Sequence, residues 1–435
     1  MSKGLCILNV VGLTPELLRH APRLSALAQQ GQMRPWKSPL PAVTLTSQAT
    51  LFTGLPPARH GAVANGWLFR DTQEVRFWQQ TFSLLEGDVF FRRYKSAGIF
   101  CWFSLGGPWR WYTAPRPFYG ADGAKAFGIL DHTGCELERR LGEFPFPAFW
   151  GPGAGIDSSR WLAGAAVQVL RQKQPELLMV YLPHLDYDAQ RLGPDHPSMP
   201  GNVAAVDACA ATVLDAAEQA GLRPVAVSEY GLVPVRRAVL PIREFRKRGW
   251  LDVRVSGPFG EVLQPFGCRA LAVCDHQLAH IYVKDLPLEE VRGALQSLPG
   301  VARVCAPQEL ELNHPRSGEL IALAEADAWF AYPFWTDDGD APDYARTVNI
   351  HAKPGYDPCE LFLTSKSRAV GRLMQKKLGF RYLMDVIPLA PELVKGSHGL
   401  HTAPEQGPLV IGPRDGPEPP GDMQGFAAYV HALME

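Results

Sequence analysis

The chain alternates between continuous apolar runs and stretches whose apolar residues recur at helical spacing. Residues 5–11 (LCILNVV) form one run and stop at Gly12. A strand buried on both faces of a parallel sheet has this character. Thr14-Pro15-Glu16 follows, an N-cap with proline at the first helical position. Leu17, Leu18, Leu24, Leu27 and Ala28 carry a broken helix on to Gln30-Gly31. The same grammar returns twice. Residues 161–171 are helical by period, and the run 176–182 (ELLMVYL) ends at Pro183. Residues 203–220 are helical again, and the run 224–228 (PVAVS) ends at Glu229-Tyr230-Gly231. Buried strands alternating with helices predict an α/β protein with a doubly wound, mostly parallel sheet and helices on both faces. In such a sheet a ligand sits beyond the carboxyl ends of the strands, so the polar residues there carry the interest.

Between residues 243 and 345 the rhythm changes. Residues 271–274, 280–283, 301–304, 319–324 and 328–334 read as strands, and 288–298 as a helix. This predicts a smaller α+β cap, 243–345, inserted in a core of 1–242 and 346–435. Residues 408–411 read as a late strand, 426–434 as a closing helix, and the aromatic-rich stretch 102–119 as irregular. The charges nearly cancel, 43 Lys and Arg against 44 Asp and Glu for a net −1. That balance argues against a nucleic-acid or membrane-surface binder working by bulk charge. Eight cysteines lie scattered in apolar runs without a CxxC, as in a reducing compartment. No run approaches the roughly 18 apolar residues of a membrane span. The apolar stretch before Thr14 is too short for a signal peptide, so a cytoplasmic location is expected. Self-association into a homo-oligomer is compatible with the sequence and not specified by it.

The sharpest local feature is residues 41–61, PAVTLTSQATLFTGLPPARHG, followed by Asn65-Gly66. Thr44 follows an extended Pro-Ala-Val and opens a helical stretch. A hydroxyl at a helix N-terminus meets free N–H groups and the positive dipole end, which suits a phosphate. Taken alone, capping of the helix by Thr44 or Thr46 is the simpler account. The whole run, however, resembles the nucleophile segment of the type I phosphodiesterase/nucleotide pyrophosphatase family, in the alkaline phosphatase superfamily. That pattern has a Thr nucleophile, then T-G-L-x-P-x-x-H-G, then an Asn. Thr44, Thr53-Gly54-Leu55, Pro57, His60-Gly61 and Asn65 stand at the matching places, and the likeness extends to Ser397-His398-Gly399. The resemblance implies an alkaline-phosphatase-like core, a cap over the site, and hydrolysis of phosphodiester or pyrophosphate bonds in a small-molecule substrate. It also implies two divalent metal ions, zinc by donor type, that deprotonate Thr44 and stabilise attacking and leaving oxygens. Thr44 would become a covalent phosphoryl-Thr. Asn65 and the backbone N–H after Thr44 would hold the phosphoryl oxygens.

The ligand positions implied by the resemblance are only partly kept. Asp186 matches a ligand Asp and His398 the last ligand His. Glu229 stands where an Asp belongs, and Tyr230 and Gln190 stand where His belongs. The Asp expected after the first strand is Val11, with Asn9 two residues earlier on the same side of the strand. Other donors are at hand. His184 and Asp186 make an H-x-D pair that projects to one side if extended, with Asp188 beside it. Asp275, His276 and His280 read as ligands or phosphate contacts, or equally as a polar hairpin facing solvent. In HAKPGYDP, Lys353 offers a point charge to a phosphate; the alternative is a turn on Pro354-Gly355 with exposed charges. The candidate metal ligands are therefore Asp186, His398, Glu229, His184, Asp275 and His276. The candidate substrate contacts are Asn9, Gln190, Tyr230, His280 and Lys353. Trp67, Phe69, Trp109 and Trp111 either stack on a base or apolar leaving group, or pack in the core. Three functions follow: a hydrolase with a rebuilt metal site, a binding protein that holds a phosphorylated ligand without turnover, or a sulfate-ester or phosphonate hydrolase of the same superfamily.

Overall fold

The computed structural model describes residues 4–119 and 125–435. Its strands begin with β1 (Gly4–Val10), β2 (Gln32–Pro35), β3 (Ser96–Ile99), β4 (Trp111–Tyr119), β5 (Lys125–Asp131), β6 (Leu177–Leu182) and β7 (Leu222–Val227). Next come β8 (Ala270–Asp275), β9 (Leu278–Val283), β10 (Val301–Cys305) and β11 (Leu320–Ala324), then β12 (Leu409–Gly412). The main helices are α1 (Pro22–Gln30), α2 (Thr44–Thr53), α3 (Ile156–Lys173), α4 (His184–Leu192), α5 (Met199–Gln219), α6 (Leu288–Gln296), α7 (Lys366–Lys377) and α8 (Phe426–Met434).

The central sheet has the order β2-β12-β7-β1-β6-β3-β4-β5. Its middle, from β7 to β4, is parallel; β12, β2 and β5 join antiparallel at the edges. The continuous apolar runs of β1 and β6 have a direct cause. Leu8, Val10, Leu178 and Val180 face α1, α3 and α5. Leu5, Ile7, Leu177 and Met179 face α2 and α8. Every position is covered, so none needs to be polar. The fold is therefore the mixed α/β arrangement that the periodicity predicts.

The stretch expected to be irregular is corrected in part, because Trp111–Tyr119 is a strand. Pro115 and Pro117 hide it from a sequence reading, since proline cannot donate to a ladder. Here β3 pairs only with residues 111–113 of β4. Beyond that the outer side of β4 faces the Gln80 side chain, whose amide donates to the Pro115 carbonyl at 2.9 Å. The prolines thus sit where no strand requires their N–H.

A second, antiparallel sheet has the order β8-β9-β11-β10. With α6 it encloses its own core, including Leu271, Val273, Ile281, Val291 and Leu295. The β8–β9 hairpin turns on His276-Gln277, with His276 in the left-handed region at φ 58°. All eight cysteines are free and buried. Among the described residues no helix is long and apolar enough to cross a membrane.

Two glycines test this packing. At Gly231, just after β7, a Cβ would lie 1.7 Å from the Gln406 carbonyl oxygen; at Gly293, inside α6, it would meet nothing within 4 Å. Gly231→Ala should cost about 2 kcal/mol or more, because backbone must move. Gly293→Ala should add roughly 0.5–1 kcal/mol. Chemical denaturation of both variants beside wild type checks the pair.

Candidate active site

The carboxyl ends of β1, β6 and β7 meet the first turn of α2. Val43 is the N-cap of α2, extended and without a side-chain cap bond, and Thr44 is the first helical residue. Capping therefore does not explain Thr44. The T-G-L-x-P-x-x-H-G segment folds back on the same helix. Gly54 and Gly61 both take left-handed φ, 69° and 76°, which glycine alone adopts without strain. His60 is locked between them. Its Nδ1 accepts the Ala62 N–H at 3.1 Å and its Nε2 lies 2.9 Å from Thr50 Oγ1. Burial pushes its pKa down to about 3. The fold-back brings Asn65 to the start of α2, where its Oδ1 accepts the Leu45 N–H at 3.0 Å. Asp275, at the end of β8, fixes Asn65 through its backbone N–H at 2.7 Å and its amide at 3.2 Å. The two groups expected to hold phosphoryl oxygens are thus bonded to each other.

Around Thr44 the polar side chains form one buried network. Thr44 Oγ1 lies 3.1 Å from the Tyr230 hydroxyl, which donates to Asp186 Oδ1 at 3.5 Å. The Gln190 amide donates to Asp186 Oδ2 at 2.6 Å, and the Tyr356 hydroxyl donates to Gln190 Oε1 at 2.8 Å. Gln190 follows Asp186 by four residues on α4, so the two share a face. Four rings stack beside this chain of bonds. Tyr230 lies on His398 with centroids 3.6 Å apart, His398 on His276 at 3.6 Å, and His276 on Tyr356 at 3.8 Å. His398 gives its Nδ1–H to the Ala42 carbonyl at 2.7 Å and turns Nε2 toward Asp186 Oδ1, 3.7 Å away. On the other side of Thr44, Glu229 Oε1 accepts from Asn9 at 2.5 Å and from Gln48 at 2.8 Å.

Burial dominates the electrostatics. It raises the carboxyls of Asp186 and Asp275 to about 7 and that of Glu229 to about 8. It lowers His398 to about 3 and His276 well below its usual value. The Tyr230 phenol is held far above 10 by burial and by the charges of Asp186 and Glu229. While Glu229 is ionised, its Oε2 and the Asn9 Oδ1 are both acceptors without a donor. Protonation turns Glu229 Oε2 into one.

The structure brings together most of the residues singled out by sequence and separates others. Thr44, Asn65, Asp186, Gln190, Tyr230, His398, Asp275, His276, Glu229 and Asn9 all belong to the buried cluster. His184 does not join Asp186 in one direction. The H-x-D pair is helical, not extended, and two residues on a helix point to nearly opposite sides. His280 is a structural residue, with Nε2 3.0 Å from the Val63 carbonyl and Nδ1 accepting the Gly318 N–H. Lys353 is neither exposed nor free. Its ammonium lies 2.7 Å from both Asp357 and Glu360, with Lys353 and Glu360 buried and Asp357 partly so. Burial alone would lower its pKa, but those two carboxylates outweigh it and raise it. Trp67 stacks on Phe69, and Trp109 on Phe91, in the core. Sequence reading passed over Gln48 and set Tyr356 only in a polar turn. No local pattern marks either; the approach of distant segments does.

The two metal centres that the resemblance implies do not fit these side chains. Among the described residues no three His, Cys, Asp or Glu groups converge to hold an ion. Val11 offers no donor, Glu229 is turned to Asn9 and Gln48, and Tyr230 and Gln190 occupy Asp186 with hydrogen bonds. Asp275 spends both oxygens on Asn65. Only Asp186 and His398 keep a ligand-like posture, the latter through its Nδ1–H bond to a carbonyl.

Comparison with known proteins bears on this site. The sequence model of the type I phosphodiesterase / nucleotide pyrophosphatase family matches residues 5–357. No curated protein sequence matches the chain. Among solved structures, phosphonoacetate hydrolase from Sinorhizobium meliloti 1021, with phosphonoformate, is similar with a TM-score of 0.63 at 16% identity, covering 99% of this chain and 96% of that one. Murine ectonucleotide pyrophosphatase / phosphodiesterase 5 has a TM-score of 0.60 at 13% identity, covering 99% and 95%. A threonine-to-alanine form of the murine protein, described as inactive and in complex with AMP, has a TM-score of 0.60 at 12% identity with the same coverage. At these identities the structures share the fold.

Two substitutions test the cluster. Gln190→His would put a third donor beside Asp186 and His398, the two-His, one-carboxylate set that holds zinc. Elemental analysis after zinc loading should rise from well below one to about one ion per chain. Glu229→Gln probes the buried carboxyl. Its folded pKa of about 8 exceeds its ordinary 4.5, so its stabilising contribution is full below about pH 4.5 and is lost as pH rises through 8. Urea denaturation should find the variant closer to wild type at pH 4.5 and relatively more stable at pH 8, the difference shifting by more than about 1 kcal/mol.

Proposed function

The chain belongs to the type I phosphodiesterase / nucleotide pyrophosphatase family, and on that premise we propose that it hydrolyses phosphoesters by attack of the Thr44 hydroxyl on phosphorus. Members of this family are hydrolases of the alkaline phosphatase superfamily. The observation that carries the reading is the Thr44 hydroxyl at the start of α2, 3.1 Å from a phenol that reaches Asp186. Attack forms phosphoryl-Thr44 and releases the ester oxygen, and water then hydrolyses the intermediate. The proton of Thr44 leaves toward Tyr230 and Asp186. Leu45 N–H and the Asn65 amide exchange their present bonds for the phosphoryl oxygens, so substrate entry opens the Asn65–Leu45 contact. The inactive threonine-to-alanine form of the murine relative, bound to AMP, supports a threonine in this role.

The family generally depends on divalent metal ions. The donors of this chain do not fit two such centres, and no step above is routed through one. The same observation favours a second reading, in which the cluster holds a phosphorylated ligand without turnover. Substrates to try include phosphodiesters, nucleotides and, after the bacterial relative, phosphonoacetate. On the cytoplasmic location expected from sequence, the substrate would be an intracellular small molecule.

The test compares wild type with Thr44→Ala on bis(4-nitrophenyl) phosphate and that panel. Hydrolysis that falls to background in the variant, with an unchanged melting curve, is the expected result. Undiminished turnover by Thr44→Ala would remove Thr44 from the mechanism. Saturable calorimetric binding by wild type without turnover would establish the second reading.

A further inference from the structure

The helix α7 and the turn after it carry an apolar stripe that the fold leaves uncovered. Val370, Leu373, Met374 and Leu378 recur at i, i+3, i+4 and i+8, one face of a helix, and Phe380 and Leu383 extend it. All six are exposed, Leu378 and Phe380 to 66% and 65%. No side chain of α7 is buried. Ala369 alone from this helix packs partly against the cluster of Cys359, Val386 and Ile387. Here exposed apolar side chains follow one helix face and the turn after it, and such patches mark binding surfaces.

The charges around the stripe share one sign. Lys366, Arg368, Arg372, Lys376, Lys377 and Arg381 lie within it, against the single acid Asp385. Asp385 is taken by Arg368 and by Arg372, the latter with Nε 2.7 Å from Oδ1. Among the described residues Lys366, Lys376, Lys377 and Arg381 are in no ion pair, and Lys376 only approaches the Tyr382 ring at 5.9 Å. In a chain of net charge −1, this is a local cluster that the overall balance conceals.

We infer that α7 and its following turn dock on an anionic lipid bilayer. The stripe enters the boundary between headgroups and acyl chains, and the free lysines and arginine meet the phosphates, as amphipathic basic helices do. A second copy packed symmetrically on the same face would bring like charges together, so charge opposes self-association there. The inference stands apart from the hydrolase reading. It concerns a surface, not the Thr44 cluster.

Co-sedimentation of the full chain with vesicles tests it. Wild type should pellet with mixed phosphatidylcholine–phosphatidylglycerol vesicles, remain free with pure phosphatidylcholine, and be released by salt. Leu378→Glu with Phe380→Glu, and separately Lys376→Glu with Lys377→Glu, should each weaken binding by about tenfold or more. Both sites are exposed, so melting temperatures should not change. Wild type that stays in solution with both vesicle types, or double variants that bind like wild type, would overturn the inference. So would a concentration-dependent dimer, seen by light scattering, that Leu378→Glu with Phe380→Glu abolishes.

Discussion

Asp186 is the constraint on which the centre of this molecule depends. A buried carboxyl is tolerated only where its oxygens are met, and here each neighbour that meets them is tied to a different part of the chain. Gln190 of its own helix and Tyr230 from the end of β7 donate to them, and the neutral His398 of the late Ser-His-Gly segment sets Nε2 3.7 Å away without a bond. Through the ring stack, His398 reaches His276 at the β8–β9 hairpin turn of the second sheet and Tyr356 in the Lys353–Glu360 turn. The main sheet, the second sheet and the C-terminal segment thus meet around one group. Stacked rings at such distances add to the area they bury.

The outer end of the stack has its own support. Tyr356 lies between Lys353 and the carboxylates of Asp357 and Glu360 in sequence, and the buried ion pairs fix that turn. The Trp150 indole and the Asn349 N–H fill the remaining acceptor positions of Glu360. A buried lysine needs such complete pairing, because an unmatched charge there is strongly destabilising. A residue that invites a role in phosphate binding therefore holds a tyrosine in place.

The mutual bonding of these buried groups explains how a family site can persist with altered donors. Where metal ions would bring anionic ligands together, neutral groups now bond to each other: a phenol, a carboxamide, a raised carboxyl and uncharged imidazoles. Asn65 and the first turn of α2 keep their places because Asp275 and Leu45 hold them. The framework of the nucleophile segment is separable from the donor set beyond it. The left-handed glycines and the locked His60 shape the first; side chains from three strand ends supply the second.

The sequence by itself determined the layers. The apolar runs at β1, β6 and β7 are legible because cover on both faces leaves few polar positions, Asn9 being the one that serves the site, and the long motif from Thr44 to Asn65 is legible because its spacing is local. Hidden were β4, whose prolines disguise it, and the separation of His184 from Asp186, which turns on whether that segment is strand or helix. Tertiary structure alone decided which polar residues meet. Gln48, Tyr356, Asp275 and His276 reach the cluster from segments far apart in the chain, and His280 and Lys353 are withdrawn from it by partners just as distant. Pairing of buried polar groups is a long-range condition. Periodicity, which reports only which face of an element is covered, carries no record of it.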